Sequence, residues 1–163
     1  MGKFREQKIS AVEAGEKKGD VGIGQGEQRV RELKSVKNMI DSLVFQDEID
    51  VQQAEMLEQS YLQAGREAHQ REVKNVVDSA KGDLEANKGD ISAEREKVED
   101  AIRKVGDMKG TTDLARNQAN RVEGNLKSSA TEYKGMETET ERIEAEQERK
   151  SQNILSRIES IFG

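Results

Sequence analysis

The chain has 163 residues, of which 33% are hydrophobic, 37% charged and 3% aromatic, with no proline, cysteine or tryptophan and a formal net charge of −6. So little apolar material argues against a large spherical core and for helices that each bury one stripe. The acidic balance argues against nucleic acid and anionic lipid as partners, and the missing cysteines exclude disulfides and thiol chemistry.

Residues 1–26 hold Gly2, Gly15, Gly19, Gly22, Gly24 and Gly26, and the run Val21-Gly-Ile-Gly-Gln-Gly26 predicts a flexible arm. Met1 to Val12 lacks the apolar centre of a secretory signal, and Glu6 stands where a myristoylation signal prefers Ser or Thr. From Glu27, Val30, Leu33, Val36, Ile40, Leu43 and Val44 follow helical spacing and predict a first helix over 27–45. Asp47, with Glu48 and Asp50 behind it, reads as the N-cap of a second helix over 47–108.

That second helix carries Ala54, Leu57, Tyr61, Ala64 and Ala68 in one register and Val73, Val77, Ala80 and Leu84 in another. The five-residue step between the two registers, close to Gly65, predicts a kink near 65–72. Beyond it Val77, Leu84, Ile91, Val98 and Val105 recur every seventh residue, with Val73, Ala80, Asn87, Glu94, Ala101 and Met108 between them, which is a coiled-coil seam. Gly106-Asp-Met-Lys-Gly110 ends the element, and Thr111, Thr112 and Asp113 offer N-caps for a last helix over 112–162. Its face runs through Ala119, Val122, Leu126, Ser129, Tyr133, Met136, Thr140 and Ile143, weakens at Gln147 and Lys150, and recovers at Ile154. The expected fold is therefore all-α. It is an elongated antiparallel helical hairpin or three-helix coiled-coil bundle over 27–163, with a flexible glycine-rich N-terminal arm over 1–26.

Few residues invite chemistry. His69 is the one histidine, and Arg66 stands where a Glu-x-x-His metal motif needs its glutamate, so no catalytic, cofactor-binding or metal residue is assigned and no cofactor is expected. Without a thiol, and with a single imidazole, nucleophilic catalysis has no foothold, and the chain reads as a non-enzyme. Asn87 and Glu94 fall at interior heptad positions, where a polar group can set register. Gly82 and Gly89 lie on the outer face, which implies either a close-packed neighbour there or a weak helix. The glutamates at 137, 139, 141, 144, 146 and 148 read as a solvated helix surface. Ile154, Leu155, Ile158, Ile161 and Phe162 form a closing apolar face that packs internally or, failing that, binds a partner.

The function these features imply is a non-enzymatic helical module for protein–protein interaction or assembly, a structural scaffold or adaptor, with a protein partner that includes a second copy of itself as a homo-oligomer. One alternative is an exported helical module associated with a bacterial secretion system or toxin. The absence of tryptophan removes the tryptophan-centred turn of the best-known hairpin class of that kind. Another is a peripheral membrane binder acting through the C-terminal amphipathic segment. The expected location is cytoplasmic, with export by a route lacking a classical signal peptide left open.

Overall fold

The structure is a computed structural model that describes residues 2–110 and 112–163. Every regular element among them is helical: α1 (Gly2–Phe45), α2 (Val51–His69), a π-helical turn (Gln70–Lys74), α3 (Asn75–Asp107) and α4 (Asp113–Phe162). None of the helices is long and apolar enough to cross a membrane.

The first correction concerns the glycine-rich segment: residues 2–26 form the opening turns of α1, not a flexible arm. Gly15, Gly19, Gly22 and Gly26 are buried, and their steps of four, three and four extend the stripe of Val12, Ile23, Val30 and Leu33. These glycines serve contact. A Cβ on Gly26 would stand 2.5 Å from Val73 Cγ2 and 2.8 Å from Ile154 Cδ1, and one on Gly22 would stand 2.9 Å from Val76 Cγ1. The missing side chains let helices approach, and the dispersion gained offsets a propensity cost of about 1 kcal/mol per glycine.

α1 closes on Asp47, whose φ of 56° places it in the left-handed region. The amide of Asp47 donates to the Val44 carbonyl at 3.1 Å and that of Glu48 to the Leu43 carbonyl at 2.9 Å, the double bond pattern that ends a helix on a left-handed residue. Asp47 therefore terminates α1 and does not cap α2. The cap is Asp50: its carboxylate accepts from the Gln53 amide at 2.8 Å, while the Gln53 side chain accepts from the Asp50 amide at 3.1 Å. Asp47→Gly removes the left-handed strain at an exposed site and is expected to stabilise the protein by about 0.5–1 kcal/mol in urea titration.

Backbone contacts divide the described residues into two units. The first comprises Met1–Glu13 and Asp83–Ile143. In it Ile91, Val98 and Tyr133 pack with Phe4, Ile102, Leu126, Ala130 and Met136, while Leu84 joins Val12 and Ile143. Phe4 meets Tyr133 edge-on, with ring centroids 5.8 Å apart. Thr112 caps α4 by accepting from the Ala115 amide at 3.2 Å; Thr111, the other expected threonine cap, lies outside the described residues.

The second unit comprises Ala14–Gly82 and Glu144–Gly163. Its core joins Ile23, Val30 and Leu33 of α1 to Leu62, Val73 and Val77, and to Ile154, Ile158 and Phe162 of α4. Ala68 and Val73 are both buried although five residues apart, and the π-turn begins two residues after Ala68. A π-turn inserts one residue into the helical repeat, so a five-residue step brings the second side chain back to the face of the first. The turn is braced from α1 by Arg29, whose guanidinium is 2.9 Å from the Glu72 carboxylate.

Candidate functional site

In the second unit a groove of about 650 Å³ separates residues 66–81 from residues 144–159 of α4. Val77 and Leu155 give it an apolar part, and His69, Gln147 and Ser151 line it as buried polar groups. Six of its charged side chains engage one another: Arg66 with Glu159 at 3.2 Å, Lys74 with Asp78 at 3.1 Å and Lys81 with Glu148 at 3.8 Å.

His69 is the last residue of α2 and only 6% exposed, and its Nδ1 is buried without a hydrogen-bond partner. Burial pushes the imidazole pKa below its ordinary value of 6.5, and the charge of Lys74 pushes the same way. The folded protein thus favours neutral histidine, whereas the unfolded chain takes up a proton first as pH falls. His69 stabilises fully above pH 6.5, and that contribution declines below it. Urea midpoints between pH 7 and about 5, above the ordinary carboxylate range, should fall with pH in the parent and stay flatter in His69→Gln. Gln147 donates from Nε2 to the Glu16 carbonyl at 2.9 Å, and its Oε1 is buried and unpartnered. Gly19 leaves room for that reach, since a Cβ there would fall 2.2 Å from Nε2.

The groove thus offers buried hydrogen-bonding groups, an oxygen of the Glu144 carboxylate among them, beside three pairs of opposite charges. Such a floor can exchange hydrogen bonds with a neutral group or take up a proton at His69. Among the described residues no three His, Cys, Asp or Glu side chains converge as a metal set.

The residues singled out from the sequence lie in separate places. Asn87 is buried in the first unit, donates from Nδ2 to the Lys8 carbonyl at 3.2 Å and leaves its Oδ1 unpartnered. Glu94 is half-buried on the same helix and pairs with Lys97 at 3.8 Å. Ile154 and Ile158 are fully buried and Phe162 is 8% exposed, all three in the core of the second unit. Leu155 and Ile161 are half-buried beside them. Ile154, Ile158 and Phe162 thus pack internally beside Val30 and Val73, the first of the two expectations for this face, while Leu155 and Ile161 keep part of their surface open.

Sequence reasoning placed Thr140 and Gln147 on the packed face of α4 but missed two further buried polar residues, Glu137 and Ser151. Their signal was spacing, since they continue the three- and four-residue steps from Tyr133 to Phe162 whatever their polarity. Glu137 departs from the solvated glutamate surface expected for this run. Burial would raise its pKa, but the Ser92 hydroxyl at 2.6 Å and Arg95 Nε at 3.1 Å, with the charge of Lys134, hold it below the usual carboxylate range. A Cβ placed on Gly82 or Gly89 would have no neighbour within 4 Å, so no helix of this chain approaches them.

Searches against protein-family models, curated proteins and solved structures find no match to this chain.

Proposed function

We propose that this chain is a non-enzymatic helical module for protein–protein interaction or assembly, with its helices packed antiparallel at coiled-coil spacing. The antiparallel arrangement draws support from the order of its ion pairs. As the chain advances from Lys88 and Arg95 of α3 to Lys109 just beyond its end, the partners on α4 recede from Glu141 to Glu137 to Glu123. The heptad residues Leu84 and Ile91 are fully buried, and Val77 and Val98 nearly so, in keeping with a seam. Asn87 acts in this reading as a register device, because sliding α3 past α1 would strand its amide away from the Lys8 carbonyl.

One observation carries the functional reading: six charged groups of the groove are engaged with one another, while large apolar side chains stand in water elsewhere on the surface. An interaction surface needs the second feature. The test is capture of partners by the native full-length chain, with chemical crosslinking, alongside light scattering over a range of concentrations. A specific crosslinked partner, or a mass that grows with concentration, is the expected result. A monomer that crosslinks specifically to nothing ends this reading.

A further inference from the structure

One short stretch of this protein holds as much excess negative charge as the whole chain. The chain has 33 acidic and 27 basic residues, and residues 38–65 hold six of the acidic ones with no lysine or arginine, so the remainder is balanced. The same stretch contains the end of α1, the start of α2 and the turn between them. Lys37, just outside it, pairs with Asp41 and Glu58. No ion pair reaches exposed Asp47, Glu48, Asp50 or Glu55 among the described residues.

Large apolar side chains stand in water at the same place. Phe45 is 89% exposed, Met56 69%, Val51 63% and Met39 52%. Phe45 and Val51 flank the turn directly. Met39 and Met56 stand two residues closer to the turn than the Lys37–Glu58 pair on their respective helices. An aromatic anchor with adaptable methionines beside it suits helix recognition. The backbone adds to the negative field: the last turn of α1 holds no basic residue, and its carbonyl end is followed by Asp47 and Glu48.

We infer that the α1–α2 turn, residues 39–57, is a docking surface for a basic amphipathic helix of a partner protein. The partner's apolar face covers Phe45, Val51 and the methionines, and its lysines and arginines meet Asp47, Glu48, Asp50 and Glu55. Charge selects this occupant. A second copy would bring the same acidic turn and be repelled, and an anionic bilayer is repelled likewise. The inference rests on the interaction reading above and gives that reading a place and a partner chemistry.

The test uses the isotope-labelled full chain and a leucine–lysine peptide patterned to form an amphipathic helix. Controls are a shuffled peptide of the same composition and a leucine–glutamate version. The expected result is binding of the patterned lysine peptide alone, with NMR shift changes confined to residues 39–57. Affinity should fall about tenfold or more in Phe45→Ser/Met56→Ser and in Asp47→Asn/Glu48→Gln/Glu55→Gln, and should weaken with added salt. All substituted side chains are exposed and Asp50 keeps its capping role, so circular dichroism should match the parent. No binding, shift changes elsewhere, equal binding of the shuffled peptide, undiminished affinity in either variant, or self-association through Phe45 would each overturn the inference. A captured partner that crosslinks outside 39–57 removes this inference and leaves the interaction reading standing; no partner together with no self-association removes both.

Discussion

Gly26→Leu is expected to destabilise the protein by about 3 kcal/mol or more, whereas Gly24→Ala, two residues earlier on the same helix, should stabilise it by about 1 kcal/mol. At position 26 even a Cβ falls inside the contact distance of Val73 and Ile154, so a leucine must push α1 away from two neighbours. Both obstructing side chains are fully buried and have no free space to rotate into. At position 24 nothing lies within 4 Å of the Cβ position, and alanine simply lowers the entropy lost on forming the helix. Urea titration of both variants gives a result of opposite sign if α1 packs as described. Two neutral substitutions would mean that this part of the chain does not pack as a helix at all.

Ile154→Ala and Ile158→Ala are each expected to cost about 2–5 kcal/mol, the range for deleting a large aliphatic side chain from a core that cannot fully collapse. Both side chains are fully buried, and Ile154 lies where α1, the π-turn and α4 meet, beside Gly26 and Val73. Leu155, half-buried at the groove, should cost about 1 kcal/mol on the same change, since it loses less buried area. The pair of results separates a core from a docking face. An unchanged urea midpoint in Ile154→Ala, with loss of a bound partner, would return these residues to the surface and undo this packing.

The all-α class was legible in the sequence, because Leu84, Ile91 and Val98 report their own hydrophobicity at a period that only a helix can place on one face. The end of α1 at Phe45 was legible for the same reason. The cap at Asp50 lies three residues beyond the expected one: Asp47 and Asp50 have the same chemistry, and the choice between them depends on which backbone turns left-handed. Of the candidate groove, His69 and Gln147 each stand out in the sequence, His69 as a poor metal ligand and Gln147 as a weak point of the stripe. That both line one groove depends on contacts between segments some eighty residues apart in the chain.

The glycines mark the division most sharply. Gly15, Gly19, Gly22 and Gly26 keep the same spacing as the aliphatic seam, yet composition reads glycine as freedom, because the residue's own propensity opposes a helix. What the amino-acid sequence determined by itself is where chain segments are helical and which aliphatic stripe each carries, since both follow from side chains a residue brings with it. What the tertiary structure alone decided is that a glycine stripe is a contact surface, that Glu137 lies inside, and that Phe45 lies outside. Those outcomes depend on the neighbour that another helix places against each position: a missing Cβ stabilises only when something fills its space, and a buried polar group is tolerated only when a partner meets it.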